Sequence, residues 1–305
     1  MSVRLLKTFC VVVREGSFAA AADKLALTQS AISLQMKALE QELRVELFDR
    51  SQRRPTLNEK GRALLERATE IIRLYEGLGE AISDVEDLVG TLSIGAISTV
   101  ATGILPDALA RLAAAHPRLK VRVVHALSAE LMTMVDTGNI DAAIVSCPPG
   151  ELPLDLTWHA VADEPLVVIA PDTVGEGSDE ALLSNFPVIR FNRHAWAGRV
   201  IESELKRRKI ITQDVMELDS IESIALMVGR GLGVAIVPYR TIAEPFPLPL
   251  TVVPFGEPPV LRQVGVISRT ARALPRAADE LIASLRAVAA ENDANLRLKF
   301  SSRSA

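Results

Sequence analysis

Gln29, Ser30, Ser33 and Lys37 fall on one side of a single helical stretch and together present an amide, two hydroxyls and an ammonium. That set of groups suits hydrogen bonding to base edges and phosphates in the major groove of double-stranded DNA. It also suits the solvated face of an ordinary amphipathic helix. The elements that carry the stripe bear on the choice. Phe18, Ala21, Ala22 and Leu25 recur at the i, i+3, i+4, i+7 spacing of one buried helix face, with Ser17 placed as N-cap. Ala26 and Leu27 form a turn and Thr28 is a second N-cap. Ile32, Met36, Leu39 and Leu43 then line a following helix that must pack back on Phe18 and Leu25. The pattern predicts two short helices joined by a tight turn, with the polar stripe on the outer face of the second.

The next segment, Leu47 to Leu57, has an apolar anchor, a polar turn carrying Arg50, Arg53 and Arg54, and an extended Pro-Thr-Leu. It reads as a wing whose arginines contact flanking phosphates, giving affinity that is largely independent of sequence and sensitive to salt. Residues 1 to 54 hold nine Lys or Arg against six Asp or Glu, about three net positive, in a chain of net charge -4. Positive charge is therefore concentrated where DNA would lie.

An ordered series of residues now becomes specific: Phe9, Gly16-Ser17-Phe18, Ala21-Ala22, Leu25, Thr28 to Ser33, Gln35, Leu39-Glu40, Leu43, Leu47-Phe48, Arg50, Leu57 and Gly61. The segment resembles the N-terminal winged helix-turn-helix of LysR-type transcriptional regulators. It departs from that family's pattern at Leu34, where a basic residue is frequent, and at Asn58-Glu59-Lys60, where Thr-Glu-Ala is frequent. Leu34 replaces an expected Arg contact by an apolar side chain that could meet a thymine methyl.

Leu64, Ala68, Ile71, Tyr75, Leu78, Ile82 and Val85 are spaced 4, 3, 4, 3, 4, 3, the seam of a coiled coil, in a stretch without Pro whose N-cap is Asn58. A second chain would bury that seam, so homodimerisation through this helix is expected, as the resemblance also implies. A long helix lying on its own domain is the other reading. Gly77 and Gly79 each weaken the helix by about 1 kcal/mol relative to Ala. Residues 61 to 90 hold three basic and seven acidic side chains, a balance that should keep the segment off DNA.

From Thr91 the pattern alternates between strands and helices, the mark of an α/β domain. Strands are expected at 91–96, 120–126, 141–146, 156–170, 187–191, 215–218, 233–237 and 261–268. Helices are expected at 99–115, 128–136, 196–209, 220–229 and 275–290, with a disordered polar tail from Asn292. Crossings near Ala160–Val161 and near Arg262–Val264 would divide this region into two α/β lobes. Such lobes resemble the periplasmic-binding-protein-like effector domain of the same family. The expected fold class is α/β with an N-terminal all-α winged helix-turn-helix domain, a long linker helix and a two-lobed effector domain. The limits are 1–58 for the DNA-binding domain, 59–89 for the linker helix and 90–295 for the effector domain. Lobe I takes 90–160 and 264–295, lobe II takes 161–263, and 296–305 form the tail.

A cleft between two such lobes gathers helix N-termini and strand ends, a setting for a small, often anionic ligand. Candidate contacts are Ser98 and Thr99 at the first strand-to-helix passage, Ser128 at the next helix, Ser146 at the end of the third strand, Asn192 and Arg193 after strand 187–191, and Ser220 before the Gly-rich stretch. Arg193 could neutralise a carboxylate. Residue by residue, plain N-capping is the commoner role of such hydroxyls. Ser98, Thr99 and Ser128 come first because the resemblance places effector contacts in the matching loops. His194 and Trp196 read either as cleft wall or as surface.

Enzymatic chemistry finds no support. His116, His125, His159 and His194 share no metal-ligand spacing with Cys10 or Cys147, and the two Cys form no CxxC pair. Ser203-Glu204-Leu205-Lys206 matches Ser-x-x-Lys but lies in a charged helical stretch. Gly229-Arg230-Gly231-Leu232-Gly233 precedes a strand instead of following one, so it reads as a helix stop and not a phosphate loop. No catalytic residue, metal or cofactor is expected. No apolar run approaches membrane-span length, and the N-terminal run Phe9 to Val13 is too short for a secretion signal. The expectation is a cytoplasmic regulator that binds an interrupted palindromic operator, answers a small effector, and self-associates as a dimer and a dimer of dimers. RNA polymerase is a candidate further partner. The competing readings are a solute-binding protein, or a DNA-binding protein that acts without ligand, built on the same folds.

Overall fold

The structure, a computed structural model, describes residues 2–49, 56–76, 88–175, 177–240, 242, 244–270 and 276–301. The chain divides into two compact units, residues 1–86 with 137–139 and residues 87–136 with 140–305.

The first unit starts with α1 (Val3–Glu15), capped by the Ser2 side chain and stopped at Gly16, whose φ of 69° is left-handed. Helices α2 (Phe18–Leu25) and α3 (Gln29–Leu43) follow, and the expected caps are in place: Ser17 accepts from Ala20 N–H and Thr28 from Ala31 N–H. Ile32, Met36 and Leu39 of α3 are fully buried with Leu6 and Phe9 of α1, as the period requires. Strands β1 (Phe48–Asp49) and β2 (Thr56–Leu57) pair antiparallel as the base of a wing. Phe48 anchors it, meeting Phe9 and Phe18 edge-on at centroid distances of 5.8 and 5.3 Å.

Helix α4 (Glu59–Glu76) is capped by Asn58, whose Oδ1 accepts from Gly61 N–H at 2.8 Å. Gly61 admits close packing there, since a Cβ would stand 2.3 Å from the Leu47 carbonyl oxygen. The predicted seam changes character along α4. Ala68 is buried and Leu64 and Ile71 are partly buried in the unit's own core, so this stretch follows the reading of a helix lying on its own domain. Tyr75 is exposed, with the Lys7 ammonium 6.0 Å from its ring centre. Gly77, Leu78, Gly79, Ile82 and Val85 lie outside the described residues.

The second unit is built on β3 (Gly90–Ala96), β4 (Leu119–His125), β5 (Ala142–Ser146), β6 (Leu156–Pro171) and β11 (Leu261–Arg269). The first lobe's sheet runs β6-β11-β5-β3-β4, with β3 parallel to β4 and β5. Strand β6 serves both lobes. Up to Pro165 it pairs with β11, and from Leu166 it pairs with β9 (Ala235–Pro238) and β10 (Leu250–Pro254). The handover thus falls at Pro165–Leu166, a little beyond the expected first crossing, because the pairing partner changes there without any break in the strand. The register shifts at Val264/Gly265, and Gly265 leaves room for the Trp158 ring, which would lie 2.6 Å from a Cβ there. The second lobe adds β7 (Pro187–Phe191) and β8 (Gln213–Leu218), joined to the rest by a bridge between Val188 and Val234.

Helices α5 (Ser98–Ala101) and α6 (Leu105–Ala115) replace the single helix expected over 99–115. Thr102, Gly103 and Ile104 form the turn between them, and Pro106 in the first turn of α6 restarts the helix where a missing N–H costs nothing. Helices α7 (Ser128–Asp136), α9 (Trp196–Arg208) and α10 (Ile221–Gly229) fall within a residue of expectation. Helix α8 (Asp179–Asn185) and strand β10 were not foreseen. Helix α11 (Arg276–Ser301) covers the first lobe through Leu281, Leu285 and Val288. It continues through most of the stretch expected to be a disordered tail, since nothing from 276 to 301 is Gly or Pro.

Asp179 ties α8 to the end of α9. Its carboxylate accepts from Arg208 Nη2 at 3.0 Å and from Gly256 N–H at 2.8 Å. Burial works against its ionisation, but the bonds from Arg208 and Gly256 and the Arg208 charge outweigh it and hold the carboxyl below the ordinary range. The stabilisation is therefore fully present above the unfolded carboxylate value of about 4 and lost as pH falls through the lower folded value. Asp179→Asn should cost about 2 kcal/mol at neutral pH in urea denaturation, with the gap to the parent closing below pH of about 4.

Candidate nucleic-acid interface and ligand cleft

Helix α3 is held rigidly before its outer face is used. The buried Thr8 hydroxyl of α1 meets Gln35 Oε1 at 2.6 Å, and buried Glu40 accepts from Leu47 N–H at 2.8 Å, fixing the end of α3 to the wing. The opposite face of α3 presents Gln29, Ser30, Leu34 and Lys37, all exposed, with Ser33 half-buried among them. Ser30 Oγ lies 3.0 Å from the capping hydroxyl of Thr28. Leu34 is 71% exposed, an apolar side chain with no packing role in the unit, and Leu27 in the turn is also exposed. The structure thus brings five of the eight expected DNA contacts onto one face. Arg50, Arg53 and Arg54 lie outside the described residues.

In the second unit a cleft opens between the lobes, lined by Ser98, Thr99, Ser128 and Ser146 from the first and by Phe191, Ala195, Ala197 and Asp219 from the second. His125 and Arg262 also line it, and its volume is about 40 Å³. Four of the seven expected ligand contacts therefore meet in one place. Ser98, Thr99 and Ser128 occupy first or second helical positions, not caps; the cap of α5 is Ile97, which has no side-chain acceptor. Thr99 and Ser146 are each 4% exposed. Two polar atoms of the lining, Thr99 Oγ1 and Arg262 Nε, are buried and meet no hydrogen-bond partner among the described residues. Such atoms are costly unless something else satisfies them.

The other three expected contacts do not line the cleft. Arg193, expected to neutralise a ligand carboxylate, is instead spent on Asp214 and Glu217: its Nη2 pairs with Asp214 and its Nε lies 3.5 Å from Glu217 Oε2. Asn192 Oδ1 accepts from His194 N–H at 2.8 Å. Ser220 is a plain N-cap, accepting from Ser223 N–H at 3.2 Å. His194 is exposed, whereas Trp196 is buried in the core of the first lobe although it begins a helix of the second. The cation in the cleft is Arg262, on strand β11, whose Nη2 binds Glu164. A charged residue at the expected crossing was the signal that could have found it. Asp219, next to the chosen Ser220, carried no separate mark.

A reading helix beside a wing, followed by two α/β lobes around a cleft, is the plan of a DNA-binding transcriptional regulator that carries a substrate-binding domain. Residues 3–62 match the bacterial regulatory helix-turn-helix family of LysR type, and residues 86–290 match the LysR substrate binding domain. The chain belongs to the LysR family of transcriptional regulators. It is 35% identical over 251 residues to a probable RuBisCO transcriptional regulator of Trichormus variabilis, covering 79% of this chain and 74% of that protein. It is 29% identical over 283 residues to the HTH-type transcriptional regulator IlvR of Caulobacter vibrioides, covering 90% and 94%. Among solved structures, full-length OxyR from Pseudomonas aeruginosa is similar with a TM-score of 0.70 at 24% identity, covering 94% of this chain and 98% of that one. Full-length CbnR complexed with its target DNA shares the fold with a TM-score of 0.67 at 24% identity, over 94% and 100%. Among the described residues no helix is long and apolar enough to cross a membrane.

Because the Thr99 hydroxyl is buried without a partner, Thr99→Val should leave the ligand-free protein as stable as the parent or more stable by about 1 kcal/mol, measured by urea denaturation. A loss of stability would mean that the hydroxyl has a partner in solution.

Proposed function

We propose that this regulator reads its operator with Gln29, Ser30, Ser33, Leu34 and Lys37, grips flanking phosphates with Arg50, Arg53 and Arg54, and responds to a small effector held between the lobes. The observation that carries the effector half is the pair of buried, unpartnered atoms in the cleft lining, Thr99 Oγ1 and Arg262 Nε. One accepts or donates and the other donates, so a ligand with hydrogen-bond acceptors, a carboxylate among them, satisfies both. Ser98, Ser128 and Ser146 supply further hydroxyls. The reading assigns no catalytic role and no cofactor, places the protein in the cytoplasm, and leaves RNA polymerase as a further partner.

In this reading the reader unit occupies 1–58, the linker helix 59–89 and the effector domain 90–295, with 296–305 as a tail. Two chains pair through the linker helix, and pairs of dimers span an interrupted palindrome. Leu64, Ala68 and Ile71 already serve the reader's own core, so the contact between chains rests on the part of the helix beyond them.

Gel shift against DNA upstream of its own and adjacent genes tests the reader; absence of binding by the folded protein at low salt would sink it. Gln29→Ala should cost about 1 to 3 kcal/mol of discrimination between operator and random DNA. Arg53→Ala should weaken binding to both and reduce the salt slope by about one. Equal losses on the two DNAs for both variants would reverse the assignment of reader and wing. For the cleft, a thermal-shift screen of small carboxylic acids should give hits on the parent that vanish in Thr99→Val; hits unchanged by that substitution place the ligand elsewhere.

A further inference from the structure

Arg240 is 4% exposed, follows β9 of the second lobe, and reaches across to the first. Its Nη1 donates to the Thr102 hydroxyl at 2.8 Å and to the Thr102 carbonyl at 3.3 Å, and also binds Glu222 Oε1. Its Nη2 donates to the Pro245 carbonyl at 2.5 Å. Thr102 ends α5, and its hydroxyl lies 3.0 Å from the carbonyl of Ser98, a cleft residue. Glu222 lies in the first turn of α10, where Ser220 Oγ meets its Oε2 at 3.1 Å, one residue after Asp219 of the opposite wall. A continuous chain of bonds thus runs from one wall of the cleft to the other, through Ser98, Thr102, Arg240, Glu222 and Ser220. None of Thr102, Arg240 and Glu222 lines the cleft itself.

Burial would favour protonation of Glu222, but its own N–H, the Arg240 charge and the Thr102 and Ser220 hydroxyls outweigh it and hold the carboxyl below its usual range. The cluster is therefore charged, with Glu222 and Pro245 anchoring the guanidinium on the second lobe's side, while the buried Arg240 Nε meets no hydrogen-bond partner among the described residues. What crosses to the first lobe is a single residue, Thr102. With the bond in place the cleft volume is about 40 Å³, room for a water or a small ion, whereas clefts that take organic ligands run to about 300 Å³ or more. A wider recess of about 500 Å³ adjoins it past Ser146, Ala197 and Arg262; a ligand too large for the Thr99 side requires the lobes to part there, and parting them stretches the Arg240–Thr102 contact.

We propose that Arg240 is a positioning residue of the ligand cleft: anchored by Glu222 and Pro245, it clamps the Thr102 turn and holds the two lobes in their closed arrangement. The clamp gains its regulatory meaning from the cleft being the effector site, but it exists or fails without any ligand. Release of Thr102 lets α5, with Ser98 and Thr99, swing from the second lobe about the shared strands β6 and β11.

Hydrogen–deuterium exchange of the ligand-free full chain tests this with Thr102→Val, Thr102→Ser and Arg240→Ala. Thr102→Val removes the shorter of the two bonds to Thr102 and leaves the Arg240–Glu222 pair and the longer bond to the Thr102 carbonyl. It should speed exchange about five- to tenfold on both walls, including residues 126–130, to which neither the Thr102 nor the Arg240 side chain is hydrogen-bonded, while core peptides of α8 keep their parent rates. Thr102→Ser should restore parent rates, and Arg240→Ala should match or exceed the effect of Thr102→Val. Parent rates at 126–130 in Thr102→Val, or a change confined to residues 98–104, would show a local bond with no hold on the lobes and overturn the proposal. If Arg240→Ala does not fold, the Thr102 pair decides alone. Because no ligand is added, this result is independent of the thermal-shift screen.

Discussion

The pairing of Arg262 with Glu164 is the constraint on which the second unit turns. Each is 2% exposed, and they stand directly opposite one another on β11 and β6, one residue from the point where β6 passes from one lobe to the next. Taking two charges out of water costs as much as their attraction returns, so the pair contributes little net stability. It does fix register. A slip of one residue between β6 and β11 would leave both charges buried alone and turn every neighbouring side chain to the wrong face. The strands that join the lobes are thereby locked in the one alignment that puts Ser146, Ala197 and Arg262 along the same cleft.

The same pair shapes what the cleft can recognise. Glu164 already balances the Arg262 charge, so a ligand meets a directed N–H and not a net cation. On the proposed reading, recognition there rests on acceptors aimed at Arg262 Nε and on the hydroxyls around Thr99 more than on long-range attraction. An expectation built on Arg193 had assumed the opposite, a loose cation free to meet a carboxylate. Arg193 was placed by its position after a strand, and position alone does not reveal that Asp214 and Glu217 of the adjacent β8 would claim it.

That contrast marks what was legible in the sequence. In the first unit the information is local: apolar spacing, Ser17 and Thr28 as caps, and Asn58 opening α4 all act within a few residues and could be read directly. The four cleft hydroxyls were found for a similar reason, since they sit where a strand passes to a helix or ends. Glu164 pairing with Arg262, nearly a hundred positions away, was out of reach. The split between α5 and α6 was within reach, since Gly103 and then Pro106 punctuate the helical period there. The apolar spacing of α4 does not say which partner will cover it. Leu64, Ala68 and Ile71 would read the same facing a second chain or facing α1, and α1 has them.

The closed cleft places a condition on any effector. A ligand that needs more than the present volume binds only the fraction of molecules whose lobes have parted, so its apparent affinity is its intrinsic affinity reduced by that fraction. The unpartnered Thr99 and Arg262 atoms work in the other direction, since their desolvation cost is carried before the ligand arrives and is relieved when it binds. A ligand too large for the closed cleft binds the parted arrangement alone and shifts the populations toward it; one that also satisfies both atoms does so at lower concentration. On the proposed reading, selectivity in this cleft follows from acceptor geometry at Thr99 and Arg262, with the ease of parting the lobes setting the concentration at which a matching ligand acts.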